Sequence, residues 1–243
     1  SARTVRRRLQ QFGLHGKIAA KKPFISEKNR KRRLQFAKQH KDWTPDQWAN
    51  VLWSDESKFN MVGSDGVQYV RRRRGERLNP LCTRGTVKHG GGGIMIWGCM
   101  SAGGVGRLYR VDGRMEHQQY IGILQNCMVP SMTDLFGGQT AVFQQDNDPK
   151  HSARATKRWL DEQPFEVMEW PAQSPDLNPI ENLWEILSRH RDNSRRCKNE
   201  AELWEECKAA WSRIDADLCR RIVATMPKRM KAVIKNKGYA VDW

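Results

Sequence analysis

Short apolar runs that stop at a carboxylate organise the first half of the chain. Residues 49–55, Ala-Asn-Val-Leu-Trp-Ser-Asp, read as a buried strand ending at Asp55, and residues 140–146, Thr-Ala-Val-Phe-Gln-Gln-Asp, repeat that pattern and end at Asp146. An apolar run at 94–99 behind Gly90 to Gly93 predicts a central strand, and Gly103, Gly104 and Gly106 turn the chain back into another at 107–111. Residues 59–61 continue the first strand or return beside it, and 67–71 alternate like a hairpin partner. Strands joined by short turns imply an antiparallel meander. Tyr120, Ile123, Leu124 and Met128 fall on one face of a helix predicted over 117–135, which Gly137 and Gly138 close. A helix over 153–160 capped by Ser152, a short strand over 165–170 and a helix over 180–189 follow, the last with Asn178 as cap and Pro179 at its first position. Helices over 199–211, 215–224 and 227–234 complete the chain. This order predicts an α/β fold with a central sheet flanked by helices.

Charge narrows the partner. The 243 residues hold 43 Lys plus Arg against 27 Asp plus Glu, a net charge of +16. That excess suits a polyanion, either nucleic acid or an acidic membrane face. No apolar run approaches the ~20 residues that cross a bilayer, and no signal peptide opens the chain. The basic residues cluster. A short helix over 4–12, capped by Ser1 and ended by Gly13, sits among Arg3, Arg6, Arg7 and Arg8. It reads as the last helix of a helix-turn-helix whose earlier helices are absent, so the chain reads as a fragment; a solvated basic helix is the plain alternative. After a linker over 15–25, Ser26 caps a long helix over 27–43 that carries Lys28, Arg30, Lys31, Arg32 and Arg33. That cluster fits phosphate contact, a nuclear-import signal, or both. Arg71, Arg72, Arg73 and Arg74 run together without aromatic residues between them, which suits phosphate contact and not base reading. The six cysteines form no Cys-x-x-Cys pair, which argues against zinc and for reduced, buried thiols.

The carboxylates carry the chemistry. Asp55 and Asp146 end apolar strands, where a buried charge is costly unless it is paired or bound to metal. Glu181 stands at the start of a helix, in Ser-Pro-Asp-Leu-Asn-Pro-Ile-Glu at 174–181. Its ordinary role there is a capping box that reaches back to the Asn178 amide; its alternative is a third ligand aimed across at the strand ends. Hard oxygen ligands select Mg²⁺ or Mn²⁺, and two such ions serve phosphodiester chemistry. Among competing acids, Glu56 faces the other way from Asp55 in a strand, Asp148 shares a turn with Pro149, and Glu185 lies one helical turn after Glu181 as a reserve ligand. His151 reads as a neighbour of the ligands or a DNA contact, because Mg²⁺ disfavours imidazole. The glycine run at 90–93 lacks a following Gly-Lys-Ser/Thr and is not a P-loop.

Taken together, Trp-Ser-Asp-Glu at 53–56, Val-Lys-His-Gly-Gly-Gly at 87–92, Gln-Asp-Asn-Asp-Pro-Lys-His at 145–151 and Ser-Pro-Asp-Leu-Asn-Pro-Ile-Glu-Asn-Leu-Trp at 174–184 resemble the mariner superfamily of DNA transposases, in the branch that includes Sleeping Beauty. The gap from Asp146 to Glu181 encloses 34 residues, 147–180, which is that branch's spacing. The resemblance implies a ribonuclease-H-like fold with Asp55, Asp146 and Glu181 as the catalytic, metal-binding triad. It implies a remnant of the second helix-turn-helix and a linker at 1–22, a catalytic domain at 23–243, and a clamp loop at about 67–90 that grips a partner subunit. Lys88, His89, Lys150 and His151 lie in its motifs and complete the candidate DNA contacts.

The expected function is cut-and-paste transposition. Two Mg²⁺ ions, with Mn²⁺ as substitute, support cleavage at the transposon's terminal inverted repeats, and the freed 3′-hydroxyl attacks target DNA at a TA step. Double-stranded DNA is the partner, a homodimer the working form in complex, the nucleus the compartment. The second reading is a host-adopted DNA-binding protein that keeps the fold without the activity; the intact triad argues against it. A ribonuclease or repair nuclease of the same fold fails on the 174–184 motif.

Overall fold

Val51–Asn60 forms one continuous ten-residue strand, β1, so residues 59 and 60 extend the first strand and do not return beside it. In this computed structural model residues 2–15, 25–61, 92–139, 141–191 and 197–242 are described; the predicted hairpin at 67–71, the clamp loop at about 67–90, Arg71 to Arg74, Lys88 and His89 lie outside them. β1 pairs antiparallel with β2 (Gly93–Ser101), which pairs antiparallel with β3 (Gly104–Val111). The expected meander is present, although only β2 and β3 are joined by a short turn. β4 (Val142–Gln144) and β5 (Glu166–Val167) extend the other edge in parallel, giving the order β3-β2-β1-β4-β5. Val51, Trp53, Phe59, Ile94, Ile96 and Met100 face one side of the sheet, while Leu52, Trp97, Cys99 and Phe143 face the other. Strands buried on both faces read as continuous apolar runs, which is how this sequence reads.

Helices cover both faces. α1 (Ala2–Gln11) buries none of its residues. α2 (Glu27–Gln39) starts at its Ser26 cap and ends four residues short of the predicted 43. Thr44 and Gln47 there form a capping box that opens a separate short helix, α3 (Pro45–Ala49). The helix predicted over 117–135 is present but interrupted: α4 (His117–Ile123) and α5 (Val129–Phe136) flank a π-helical turn at Leu124–Met128. Pro130 lacks the N–H that a regular α-helical bond would need there, and the π turn absorbs the break. α4 and α5 pack on the face of Leu52 and Phe143 together with α6 (Arg154–Asp161). Ser152 does not cap α6; its hydroxyl donates to the Asn147 carbonyl and Ala153 takes the cap position. The strand predicted over 165–170 is only two residues long, and three residues beyond its end the Asn147 side-chain amide donates to the Trp170 carbonyl at 2.7 Å. α7 (Ile180–His190), α8 (Glu200–Trp211), α9 (Ala216–Val223) and α10 (Met226–Lys235) cover the Trp53 face with α2 and α3. The five cysteines among the described residues are free and buried.

One buried ion pair fixes the loop before α7. Arg33 of α2 is fully buried, and its guanidinium donates to both carboxylate oxygens of Asp176 at 2.7 and 2.6 Å. It also donates to the carbonyls of Gly238 and Gln173 at 3.0 and 3.2 Å. Gln173 sits in the left-handed region at φ 56°, a conformation that surrounding contacts must hold. Asp176 accepts a further bond from the Val241 amide at 2.9 Å, and Arg229 of α10 donates to its carbonyl at 3.0 Å. The sequence assigned Arg33 to phosphate contact. With no exposure it cannot meet DNA, and it serves as a structural tie between α2, the 173–178 loop and the last residues described.

Candidate active site

Three elements bring the predicted carboxylates to one place. β1 carries Asp55 as its fifth residue and not at its end as the apolar run suggested, opposite Gly98 of β2. β4 runs parallel beside β1 and stops two residues before Asp146. The two strands are locked at that end by Ser54, whose hydroxyl donates to the Gln144 carbonyl at 2.8 Å and whose amide donates to Gln144 Oε1 at 3.2 Å. The third element, α7, is tied to β1 by Asn178. Its Nδ2 donates to the Ser54 carbonyl at 3.1 Å, and its Oδ1 accepts from the Ile180 amide at 3.3 Å. Regular helix starts at Ile180, so the cap position falls on Pro179 and not on the predicted Asn178, which instead braces the first helical amide from one residue further back. Glu181 does not fold back as a capping-box partner: its carboxyl group meets that of Asp55. Asp55, Asp146 and Glu181 thus line a single cleft of about 400 Å³, together with Asp148, Ser174 and Asn178. Glu185 is not among its walls; it pairs with Arg189 on the exposed face of α7 at 3.4 Å.

The electrostatics divide the acids into two groups. Burial pushes the Asp55 carboxyl well above its ordinary range, and Glu181, Glu56 and Asp146 add to the rise. Glu181 is raised by burial and by Asp146, against a hydrogen bond from Asp55. Asp146 moves the other way. Burial opposes its charge, but the His151 hydrogen bond, the Asp148 amide and Lys150 outweigh that and lower it. His151 is buried, with Nδ1 2.6 Å from Asp146 Oδ1 and Nε2 3.1 Å from Glu56 Oε1. Burial opposes its charge too, yet the two carboxylates raise it to about 9, so it is an imidazolium at neutral pH. Lys150 pairs with Glu56 at 3.5 Å and Asp148 at 2.9 Å. Among the described residues no cationic side chain pairs with Asp55 or Glu181.

That donor set suits a divalent cation. Four carboxylates line one cleft, Asp55 and Glu181 crowded enough to resist ionisation, and hard oxygen donors of this kind select Mg²⁺ or Mn²⁺ over zinc. Among the described residues no three His, Cys, Asp or Glu side chains are already closed around one point as a ligand cage. The carboxylates form the walls of an open cleft, with Asp146 Oδ1 already taken by His151 and by the Asp148 amide.

The candidate DNA contacts separate by exposure. Arg3, Arg6, Arg7 and Arg8 are exposed on α1; Lys28, Lys31 and Arg32 are exposed on α2, Lys31 within 3.1 Å of Glu27. Arg30 is turned inward, donating to the Lys237 carbonyl at 2.9 Å and lying 5.3 Å from the ring centre of Tyr239. Lys150 is held by its two acids. His151, read from sequence as a neighbour of the ligands or a DNA contact, is buried between Asp146 and Glu56 and is the first of these. No helix among the described residues is long and apolar enough to cross a membrane.

Sequence reasoning passed over two residues beside Asp55. The Trp184 indole N–H donates to Asp55 Oδ2 at 3.3 Å. Gly98 makes room for that ring: a Cβ there would stand 2.7 Å from Trp184 Cη2 and 2.9 Å from Leu108 Cδ2. The available signal was a glycine inside a strand, which often marks a close approach. Gly98→Ala is expected to cost about 1–3 kcal/mol of stability in urea unfolding, as overpacked cores do, and to lower DNA cleavage by displacing Trp184. Unchanged unfolding would show that the ring can shift freely.

Known proteins resemble this chain along its whole length. Residues 50–204 match the family model described as DDE superfamily endonuclease, and residues 1–42 match one described as Transposase. The chain is 49% identical over 244 residues to the transposable element Tcb1 transposase of Caenorhabditis briggsae, covering 100% of this chain and 88% of that protein. It is 45% identical over 243 residues to the Tc1 transposase of Caenorhabditis elegans, again covering 100% and 88%. The crystal structure of the Mos1 mariner paired end complex with Mn superposes with a TM-score of 0.82 at 19% identity, over 100% of this chain and 72% of that one. The superposition bears out the ribonuclease-H-like fold that the motifs implied. With matches of this extent running from the first helix to the last, the chain belongs to the Tc1/mariner-type transposases of the DDE superfamily.

Proposed function

We propose that Asp55, Asp146 and Glu181 are the catalytic carboxylates of this transposase and that together they hold two divalent cations. The observation that carries this is their convergence: the middle of β1, the turn beyond β4 and a helix start, remote in sequence, line one cleft. A bound Mg²⁺ or Mn²⁺ would supply charge neutralisation at the scissile phosphate and a more acidic attacking hydroxyl or water. The chain's own contribution is position. Asn178 fixes Glu181 against the strand that carries Asp55, Trp184 orients the Asp55 carboxylate, and the Ser54 lock between β1 and the end of β4 sets Asp146 beside them. Holding reactants in such geometry removes much of the entropic barrier.

The substrate of this reading is double-stranded DNA at transposon ends, followed by target DNA at a TA step, and the exposed arginines of α1 with Lys28, Lys31 and Arg32 supply phosphate contacts. The Mos1 structure is a paired end complex with Mn; by likeness to it, a homodimer that brings two ends together is the working form here, and the nucleus is where its DNA lies. The test is nicking of DNA carrying the transposon ends. Nicking is expected with Mg²⁺ or Mn²⁺ and is expected to stop with a chelator; an equal rate in chelator would overturn the cation reading.

A further inference from the structure

We propose that Glu56 and His151 are positioning residues that fix Asp146 in the rotamer needed to bind a divalent cation; this rests on the carboxylate reading above. The argument begins with strand geometry. Neighbouring residues of β1 point to opposite faces. Asp55 therefore faces the α7 side and Glu56 faces the α4–α6 side. Asp146 lies beyond the end of β4, where the chain has left the ladder, so no strand hydrogen bond holds its side chain.

A chain of bonds from Glu56 supplies the missing restraint. Glu56 Oε1 lies 3.1 Å from His151 Nε2, and His151 Nδ1 lies 2.6 Å from Asp146 Oδ1. The Asp148 amide donates to that same Oδ1 at 2.9 Å. Two donors on one carboxylate oxygen stop rotation about the Cβ–Cγ bond and leave Oδ2 for the cleft. The imidazole cannot turn away either. It is 4% exposed and packs on the ring of Tyr120 with centroids 4.0 Å apart and planes at 33°. Tyr120 is itself fully buried, and its hydroxyl donates to Gln145 Oε1 at 2.6 Å. Lys150 closes the circuit from Glu56 Oε2, at 3.5 Å, to Asp148 Oδ2, at 2.9 Å. The arrangement has the logic of partners behind a metal ligand, whose loss weakens cation affinity without removing a ligand.

The test is a thermal-shift titration of the whole, DNA-free protein with Mn²⁺. The wild-type Tm is expected to rise with Mn²⁺. For Glu56→Ala the Mn²⁺ concentration at half the shift should be roughly 10- to 100-fold higher, and the Mg²⁺ concentration for half-maximal nicking should move with it. Glu56→Gln, whose amide oxygen still accepts from His151, should restore most of the affinity. His151→Gln should behave as Glu56→Ala does, and serves if that variant does not fold. A lower Tm without metal but an unchanged Mn²⁺ midpoint would assign Glu56 and His151 to the fold alone and overturn the proposal. A wild-type protein that shows no Mn²⁺-dependent shift would overturn both this proposal and the carboxylate reading beneath it.

Discussion

Asp55→Asn is expected to unfold at a higher temperature than the wild-type protein when both are held in chelator, and with Mg²⁺ present to lose DNA cleavage by on the order of a thousandfold, the scale on which a group that stabilises transition-state charge is missed. The two effects share one cause. Burial, then Glu181, Glu56 and Asp146, push the Asp55 carboxyl well above its ordinary range. A carboxyl raised in the folded state stabilises the fold while it is protonated. That contribution is complete below the ordinary carboxylate range and disappears as pH rises through the raised value. Above that value the metal-free protein bears an unfavourable cluster of charge. Asparagine removes one charge, keeps an acceptor for the Trp184 indole, and offers Glu181 an N–H donor. The variant should also lose part of the wild type's decline in stability between acid and neutral pH. Calorimetry in chelator across that range checks the sign, and end-nicking with Mg²⁺ checks the activity. A variant no more stable than wild type would mean that the carboxylates do not repel one another, and retained cleavage would remove Asp55 from the site.

Arg33→Ala is expected to lower stability by about 3–5 kcal/mol, the usual cost of stranding one partner of a buried ion pair. At the scale of this chain that is a fall of about 10 °C in Tm. Asp176 would keep the Val241 amide but lose both guanidinium bonds, and the loop at Gln173 would lose a donor that holds its left-handed backbone. Because that loop leads directly into Asn178 and Glu181, cleavage should fall along with stability. Replacing both partners, as Arg33→Met with Asp176→Leu, should recover much of the stability, since a buried pair is often matched by apolar residues of similar volume. Thermal or urea unfolding of the single and double variants decides it. A single variant as stable as wild type would show that Asp176 finds water or another donor.

The sequence displayed the strand carboxylates openly because nothing else explains an acid at the end of an apolar run. Asp55 and Asp146 stood out on that ground, and Glu181 stood out once its motif was seen whole. Glu56 was set aside by strand alternation. The geometry was read correctly, but an acid that faces away from one ligand can still serve another that arrives from a different strand. Arg33 was misplaced because charge reads alike whether solvated or buried. Its spacing to Phe36 and Ala37, three and four residues on, marked the inward face of α2 and was the signal available. His151 and Trp184 were harder. Their roles depend on contacts across 95 and 129 positions of chain, which no local pattern encodes.

The Asn178 side chain also changes the meaning of the 34 residues between the second and third acids. With the Asn178 amide tying the helix start to β1, the number of residues between the two acids does not set their distance. Lengthening or trimming the exposed turn near Glu162 would leave the carboxylates where they are. The spacing that marks this branch then records descent, and the mechanical constraint lies in Asn178 on the Ser54 carbonyl and in the Arg33–Asp176 pair behind it.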